Sequence, residues 1–136
     1  MKAFLDTNVL LDYILDSRGE FHAPAVDIMR LVASERVEAG FSTAQATDLY
    51  YCLRKAAGDE AARKALRGLF ALCELYPASP KACMNALELP IGDYEDAVQI
   101  ETARENSCDF IVTRNLRDFE DSSVPYIDPK GFLALV

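Results

Sequence analysis

The stretch Lys2-Ala3-Phe4-Leu5-Asp6-Thr7-Asn8-Val9-Leu10-Leu11 opens the chain and decides how the rest is read. Lys2 to Leu5 is a short apolar run of strand length, and it ends on Asp6-Thr7-Asn8, residue types that favour helix N-caps. Beyond them Val9, Leu10, Tyr13 and Ile14 recur at helical spacing. A strand passing through a polar turn into a helix is the opening unit of an α/β domain. It also leaves Asp6 at the carboxyl end of a strand, where open parallel sheets bind their ligands.

The alternation continues outward from this unit. A second helix is predicted after Pro24, with Ala25, Ile28, Met29 and Val32 on one face. A strand near Ala39 to Phe41 leads to Ser42 and Gln45, a capping box that begins a helix reaching about Ala57 and broken by Gly58. Asp59 is expected to cap the next helix, whose apolar stripe is Ala62, Leu66, Leu69, Phe70 and Cys73. Leu75-Tyr76 reads as a short strand, and Lys81 to Leu87 as a helix stopped by Pro90. Gly92-Asp93 opens a helix to about Asn106, and Asp109 to Thr113 is the strongest strand signal in the chain. A strand at Tyr126-Ile127 and a small helix after Pro129 close it. With no repeat, linker or low-complexity segment, residues 1–136 read as a single domain, a three-layer α/β/α sandwich around a short parallel sheet.

Composition sets bounds on function. A chain of 136 residues can bury a core without a disulfide or metal staple. No apolar run approaches the roughly 20 residues of a membrane span, and Lys2 and Asp6 interrupt the start too early for a signal peptide. A cytoplasmic location is the expectation. Cys52, Cys73, Cys83 and Cys108 form no C-x-x-C pair, which argues against zinc and for small buried hydrophobes. The net charge of −8 is weak evidence against a polynucleotide ligand, but a carboxylate metal site would itself supply part of that charge.

Individual acids have ordinary alternatives. Asp6 can be an N-cap, and a cap need not exclude chemistry. Asp96 shares a helical stripe with Ile100 and Ala103, so it points inward, and an inward carboxylate is costly unless something pairs it. Its alternative is a first-turn acid favoured by the helix dipole, a place that Asp93 already fills. Asp48 has Ala44 and Cys52 one turn away on either side; it is as readily a half-exposed helix acid as a site residue. Asn115 and Asp118 follow the strand ending at Thr113, and a helical turn there would put them on one face. Asp118 can equally end a turn. His22, the single histidine, reads as a surface or capping residue, so no His-based triad is available.

Several carboxylates drawn into one crevice repel one another and select a hard cation, Mg²⁺ or Mn²⁺. Such a site suits phosphoryl chemistry in which a metal-activated water is the nucleophile. Arg114 and Arg117, with Thr113 and Asn8 in the loops beside the acids, are the candidate substrate contacts. The more numerous cations Arg54, Lys55, Arg63, Lys64 and Arg67 read first as a solvated helix surface.

These residues fall in a familiar order. Phe4-Leu5-Asp6-Thr7-Asn8-Val9-Leu10-Leu11, then Tyr94-Glu95-Asp96-Ala97 with Ala103, then Ile111-Val112-Thr113-Arg114-Asn115 with Asp118-Phe119, resemble the motifs of the PIN-domain nucleases across nearly the whole chain. The resemblance implies a metal-dependent endoribonuclease acting on single-stranded RNA through three or four acids. It further implies kinship with the small VapC-like toxins, which are held by a cognate antitoxin and are commonly homodimers. Asp6 matches the first acid and Asp96 the third. Asp48 stands where the family usually has Glu, and Asn115 where it often has an acid, with Asp118 close enough to supply the missing carboxylate. Two rival readings stand beside this one. The first is a PIN-like module that binds RNA or protein without cutting. The second is an Asp-based phosphotransfer domain, poorly served by Asn8 at the second-acid position of such phosphatases and by Lys130 behind a proline.

Overall fold

A computed structural model describes all 136 residues. Five strands form one sheet in the order β3-β2-β1-β4-β5, and every neighbouring pair is parallel. They are β1 (Lys2–Leu5), β2 (Glu38–Ser42), β3 (Glu74–Tyr76), β4 (Phe110–Val112) and β5 (Tyr126–Ile127). The helices are α1 (Thr7–Ile14), α2 (His22–Ala33), α3 (Thr43–Ala57), α4 (Asp59–Leu72), α5 (Pro80–Ala86), α6 (Tyr94–Glu105) and α7 (Pro129–Leu135). Two 3₁₀ segments, Asp16–Phe21 and Leu116–Phe119, complete the chain. No helix is long and apolar enough to cross a membrane.

The expected three-layer α/β/α architecture follows from strand residues alternating between faces. Ala3, Leu5, Ala39, Phe41 and Val112 join one core with α1 to α4 and Phe132 of α7. Phe4, Ile111 and Tyr76 look the other way, into a smaller core with Ile100 and Ala103 of α6 and Phe119. Helix α6 is therefore covered on nearly all sides: Ala97 through Ala103 are all buried. The chain winds outward from β1 through β2 to β3, then returns to lay β4 on the other side of β1. The crevice between β1 and β4 is thus the topological switch point, the usual ligand site of an open parallel sheet.

Several local expectations hold for the reason given. Ser42 accepts from Ala44 N at 3.0 Å while Gln45 Oε1 accepts from Ser42 N at 2.7 Å, completing the capping box. Asp93 caps α6, and His22 Nδ1 lies 2.8 Å from the carbonyl of Asp12 in the last turn of α1. Others are corrected. Helix α2 starts at His22, two residues before Pro24, because the 3₁₀ segment delivers the chain already coiled. Asp59 caps nothing: Gly58, at φ 93°, joins α3 to α4, and the Asp59 carboxylate serves Tyr50 and Arg63 instead. Ser79 is the unforeseen cap of α5, which begins at Pro80 and ends at Ala86, well short of Pro90. Phe70, expected in the core stripe of α4, is 43% exposed and stacks on Phe41 at 6.0 Å.

Gly40 is the tightest packing constraint in the sheet. It pairs with Phe4 on one side and Glu74 on the other. The Phe4 and Tyr76 rings stack at 6.1 Å across the strand between them. A Cβ on Gly40 would lie 2.5 Å from the Tyr76 ring and 2.6 Å from the Glu74 carbonyl oxygen. Gly40→Ala should therefore destabilise the fold by about 1–3 kcal/mol, the range of overpacked cores, read as a lower urea midpoint with an unchanged slope.

Candidate active site

Asp6 is the first residue past β1, and its backbone N–H still bonds to Val112 O at 3.0 Å, so β4 holds it in the ladder. Its carboxylate is fixed at both oxygens. Oδ1 accepts from Thr7 N at 2.8 Å, the capping bond, and Oδ2 accepts from the Thr113 hydroxyl at 2.8 Å. Thr113 Oγ1 in turn accepts from Asn115 N at 3.1 Å, which sets the course of the loop leaving β4. Gln45 Nε2 donates to Leu5 O and to Thr7 Oγ1, tying α3 to the end of β1. Asp6 thus caps a helix and faces the crevice at once.

Around it a cleft of about 410 Å³ opens at the carboxyl ends of β1 and β4. It brings together Asp6, Asp48, Asp96, Asn115, Asp118 and Asn8, six of the sequence candidates, from four separate segments. The helical turn anticipated after Thr113 is the second 3₁₀ segment. Asp118 N bonds to Asn115 O at 3.0 Å, and both side chains reach the cleft. Among the other residues that line it, Glu95, Gln99 and Asp93 are polar groups on or at the start of α6 that the sequence reading did not place there. Glu95 lay inside a quoted motif, but helical periodicity alone gave no reason to separate it from the solvated face.

The electrostatics are those of crowded, half-desolvated acids. Burial pushes the Asp6 carboxyl above its ordinary value, against the bonds from Thr113, Gln99 and Thr7 that favour its charged form. Burial and then the charges of Asp6, Asp93, Asp118 and Glu95 push Asp96 up to about 7. Glu95 is also pushed up to about 7, first by a hydrogen bond with Asp48, then by burial and by the Asp48 charge. A cation would relieve all three.

The donor set fits a hard ion: carboxylate and amide oxygens, no histidine, and a buried Gln99 Oε1 with no hydrogen-bond partner in the chain. No three His, Cys, Asp or Glu side chains stand close enough together to hold an ion by themselves, so an ion here would take one or two of these carboxylates and fill its remaining positions with water and phosphate oxygens. That is the habit of Mg²⁺.

The basic candidates are distributed differently. Arg117 is exposed beside Asp118 and lines not the cleft but an adjoining depression that shares Asp93 and Asp118 with it. Arg114 turns away from the acids: its Nε lies 3.3 Å from Asp12 Oδ2 and its guanidinium 4.1 Å from the centroid of the Phe21 ring. Thr113 is fully buried with its hydroxyl committed to Asp6, so the substrate contact expected of it becomes a positioning bond. Arg54, Lys55, Arg63, Lys64 and Arg67 are all exposed on α3 and α4 and line none of this cleft.

Asp12 was missed altogether. It is 1% exposed, deep on α1, and paired with Arg18 Nε at 2.9 Å as well as with Arg114. Arg18 Nη2 also donates to Asn8 Oδ1 at 3.0 Å, so this buried anion indirectly sets one wall of the cleft. Its signal in the sequence was an acid among Val9, Leu10 and Leu11, on a helix otherwise read for its apolar spacing.

An open parallel sheet with an acid-lined crevice at its switch point defines an α/β domain equipped to bind cations or polyvalent ligands. The PIN domain family profile matches residues 2–117, and the chain belongs to that family. Membership sets aside the phosphotransfer folds. Among solved structures, DNA-bound VapBC from Salmonella typhimurium is similar at 22% identity and TM-score 0.73, over 95% of this chain and 98% of that one. A toxin–antitoxin complex from Klebsiella pneumoniae is similar at 22% identity and TM-score 0.66, over 93% and 97%. VapC20 of Mycobacterium tuberculosis, a sarcin-ricin loop cleaving toxin, is similar at 17% identity and TM-score 0.65, over 80% and 86%. No curated protein sequence matches the chain.

Two outcomes follow from these charges. The Asp96 and Glu95 carboxyls rise on folding, so folding favours their protonated forms. The stability this gives is present in acid, below their ordinary values, and is lost as pH climbs through about 7. In EDTA the melting temperature should therefore be higher near about pH 5.5 than near about pH 8, and Asp96→Asn should flatten the difference. By contrast Asp12→Ala leaves two arginines facing an apolar gap and should cost about 3 kcal/mol in a urea titration.

Proposed function

We propose that the chain is a metal-dependent endoribonuclease that hydrolyses phosphodiester bonds of single-stranded RNA. The observation that carries this reading is the convergence of Asp6, Asp48, Asp96 and Asp118 on one cleft at the β1–β4 switch point. No histidine lines the cleft, and its one cysteine, Cys52, therefore has no imidazole base to activate it, so water is the natural attacking group. Asp6, Asp96 and Asp118, with Asn115 as a neutral oxygen, would together hold, directly or through its waters, Mg²⁺ or Mn²⁺, which supplies Lewis acidity and an activated water when bound.

The remaining steps fall to the chain itself. Asp6, immobilised by Thr113 and Thr7, keeps one fixed anionic point at the centre of the cleft. Glu95, hydrogen-bonded to Asp48 and pushed up to about 7, can take up or release a proton at the cleft wall near neutral pH. Asn8, held by Arg18, offers an amide for orienting a phosphate or a water. Arg117 lies where the strand would leave the acids.

The similar structures support the biological setting. They include a toxin–antitoxin complex and a sarcin-ricin loop cleaving toxin. On this reading the chain is the toxin of a cytoplasmic pair, restrained by a cognate antitoxin. It is also read as a homodimer, and the exposed Tyr51, Met84 and Leu87 on and beside α3 and α5 are apolar surface that a second copy could cover.

The test is cleavage of single-stranded RNA with Mg²⁺ or Mn²⁺ and with EDTA. Activity should need the metal, and Asp6→Asn or Asp96→Asn should each lower turnover on the order of 10²-fold or more with an unchanged circular dichroism spectrum. Asp118→Asn should cost more than Asn115→Ala, because the carboxylate offsets cation charge and the amide does not. RNA bound but left intact in every metal would replace the nuclease with a non-catalytic binding module.

A further inference from the structure

Beside the acid cleft lies a second cavity of about 180 Å³, several times the roughly 30 Å³ share of one water. We propose that it is a nucleobase subsite, in which one unpaired guanine of the RNA stacks on the Arg114–Phe21 pair and is read by the carboxylate of Glu20. Its place in catalysis rests on the nuclease reading above; the binding itself does not.

The stacking platform is already built. The Arg114 guanidinium lies over the Phe21 ring at 4.1 Å, and its Nε sits 3.3 Å from the buried Asp12 carboxylate. A ring beneath and a buried anion at its edge hold the guanidinium flat before any ligand arrives, which removes much of the ordering cost of binding. Unstacked bases lie on such guanidinium planes and on aromatic rings. Phe21 is 37% exposed and Leu116 41% exposed, so each keeps apolar surface within reach of a base that enters the cavity. Leu116 and Pro129 furnish apolar walls, and Lys130 offers a cation to a flanking phosphate.

The connection to the acids is covalent. Arg114 and Leu116 line this cavity, while Asn115 between them lines the acid cleft. A strand with one phosphate among the carboxylates therefore passes a neighbouring base over the same three-residue loop. The choice of base follows from the acceptors. Asp128 Oδ1 is occupied by the Gly131 amide, whereas Glu20 makes no hydrogen bond or ion pair in the chain. A carboxylate is acceptor-only, and guanine is the base whose Watson–Crick edge presents two adjacent donors, N1–H and the N2 amino group.

The experiment uses fluorescein-labelled RNA hexamers UUGUUU, UUAUUU and UUUUUU, titrated by anisotropy with the Asp96→Asn protein in Mg²⁺ and checked on a gel for intact RNA. UUGUUU should bind at least about fivefold more tightly than the other two, a modest share of what hydrogen bonds to a charged acceptor contribute, because adenine stacks as guanine does but offers Glu20 no pair of adjacent donors. Phe21→Ala should remove that preference and Phe21→Tyr keep it. Glu20→Gln, at an exposed residue, should lower UUGUUU to the affinity of UUAUUU while leaving UUUUUU unchanged. Equal affinity for all three hexamers overturns the subsite, as does a guanine preference that survives both Phe21→Ala and Glu20→Gln. Cleavage by the unsubstituted protein alongside equal affinities leaves the nuclease standing without the subsite. Guanine preference without cleavage leaves the subsite standing without the nuclease.

Discussion

The hydrogen bond from the Thr113 hydroxyl to Asp6 Oδ2 is the contact on which the rest of the molecule turns. It spans 107 residues of chain and joins the ends of the two strands between which the sheet reverses its winding. Because Asp6 also caps α1 and Thr113 also holds the amide of Asn115, four segments take their position from this pair. A carboxylate that is only 4% exposed must keep such bonds to stay charged at all. The same bonds leave it unable to move away from its neighbours.

Two buried acids show two solutions to that problem. Asp12 is neutralised within the protein: Arg18 Nε donates to its Oδ1 at 2.9 Å, and Arg114 Nε lies 3.3 Å from its Oδ2 as an ion-pair partner without a hydrogen bond. Asp6, Asp96, Asp48 and Glu95 have no basic partner; they have one another, and their mutual repulsion and burial raise the protonation of Asp6, Asp96 and Glu95. An ion pair is a closed arrangement. A cluster of unpaired acids is an open one that a cation completes. Arg18 and Arg114 sit with Asp12 rather than in the acid cleft, which keeps the cleft anionic while placing cations and a ring beside it.

Much of the fold was legible because it depends on local periodicity. The strand at Lys2–Leu5, the box at Ser42 and Gln45, and the helix opened by Asp93 each follow from neighbours within one turn. The errors share a cause as well. Asp59 has the composition of a cap, but the positive φ of Gly58 lets two helices join without one, and Tyr50 and Arg63 take the carboxylate. Phe70 has the spacing of a core residue, yet α4 lies at the edge of the sheet beside short β3, where little remains to cover it.

The sequence by itself determined the α/β class and the acids worth considering, since both rest on residue type and short spacing. Asp6 after a strand and Asp96 on an apolar stripe are visible without coordinates, and so is the one-turn relation of Asn115 to Asp118. Only the tertiary structure decided which groups share a space. It brought Glu95 and Gln99 to the cleft, moved Arg114 onto Phe21, and turned Thr113 from a surface contact into a buried support. Such placements are set by strand order and helix packing across tens of residues. Electrostatic coupling depends on distance in space, and no local pattern in the chain encodes that distance.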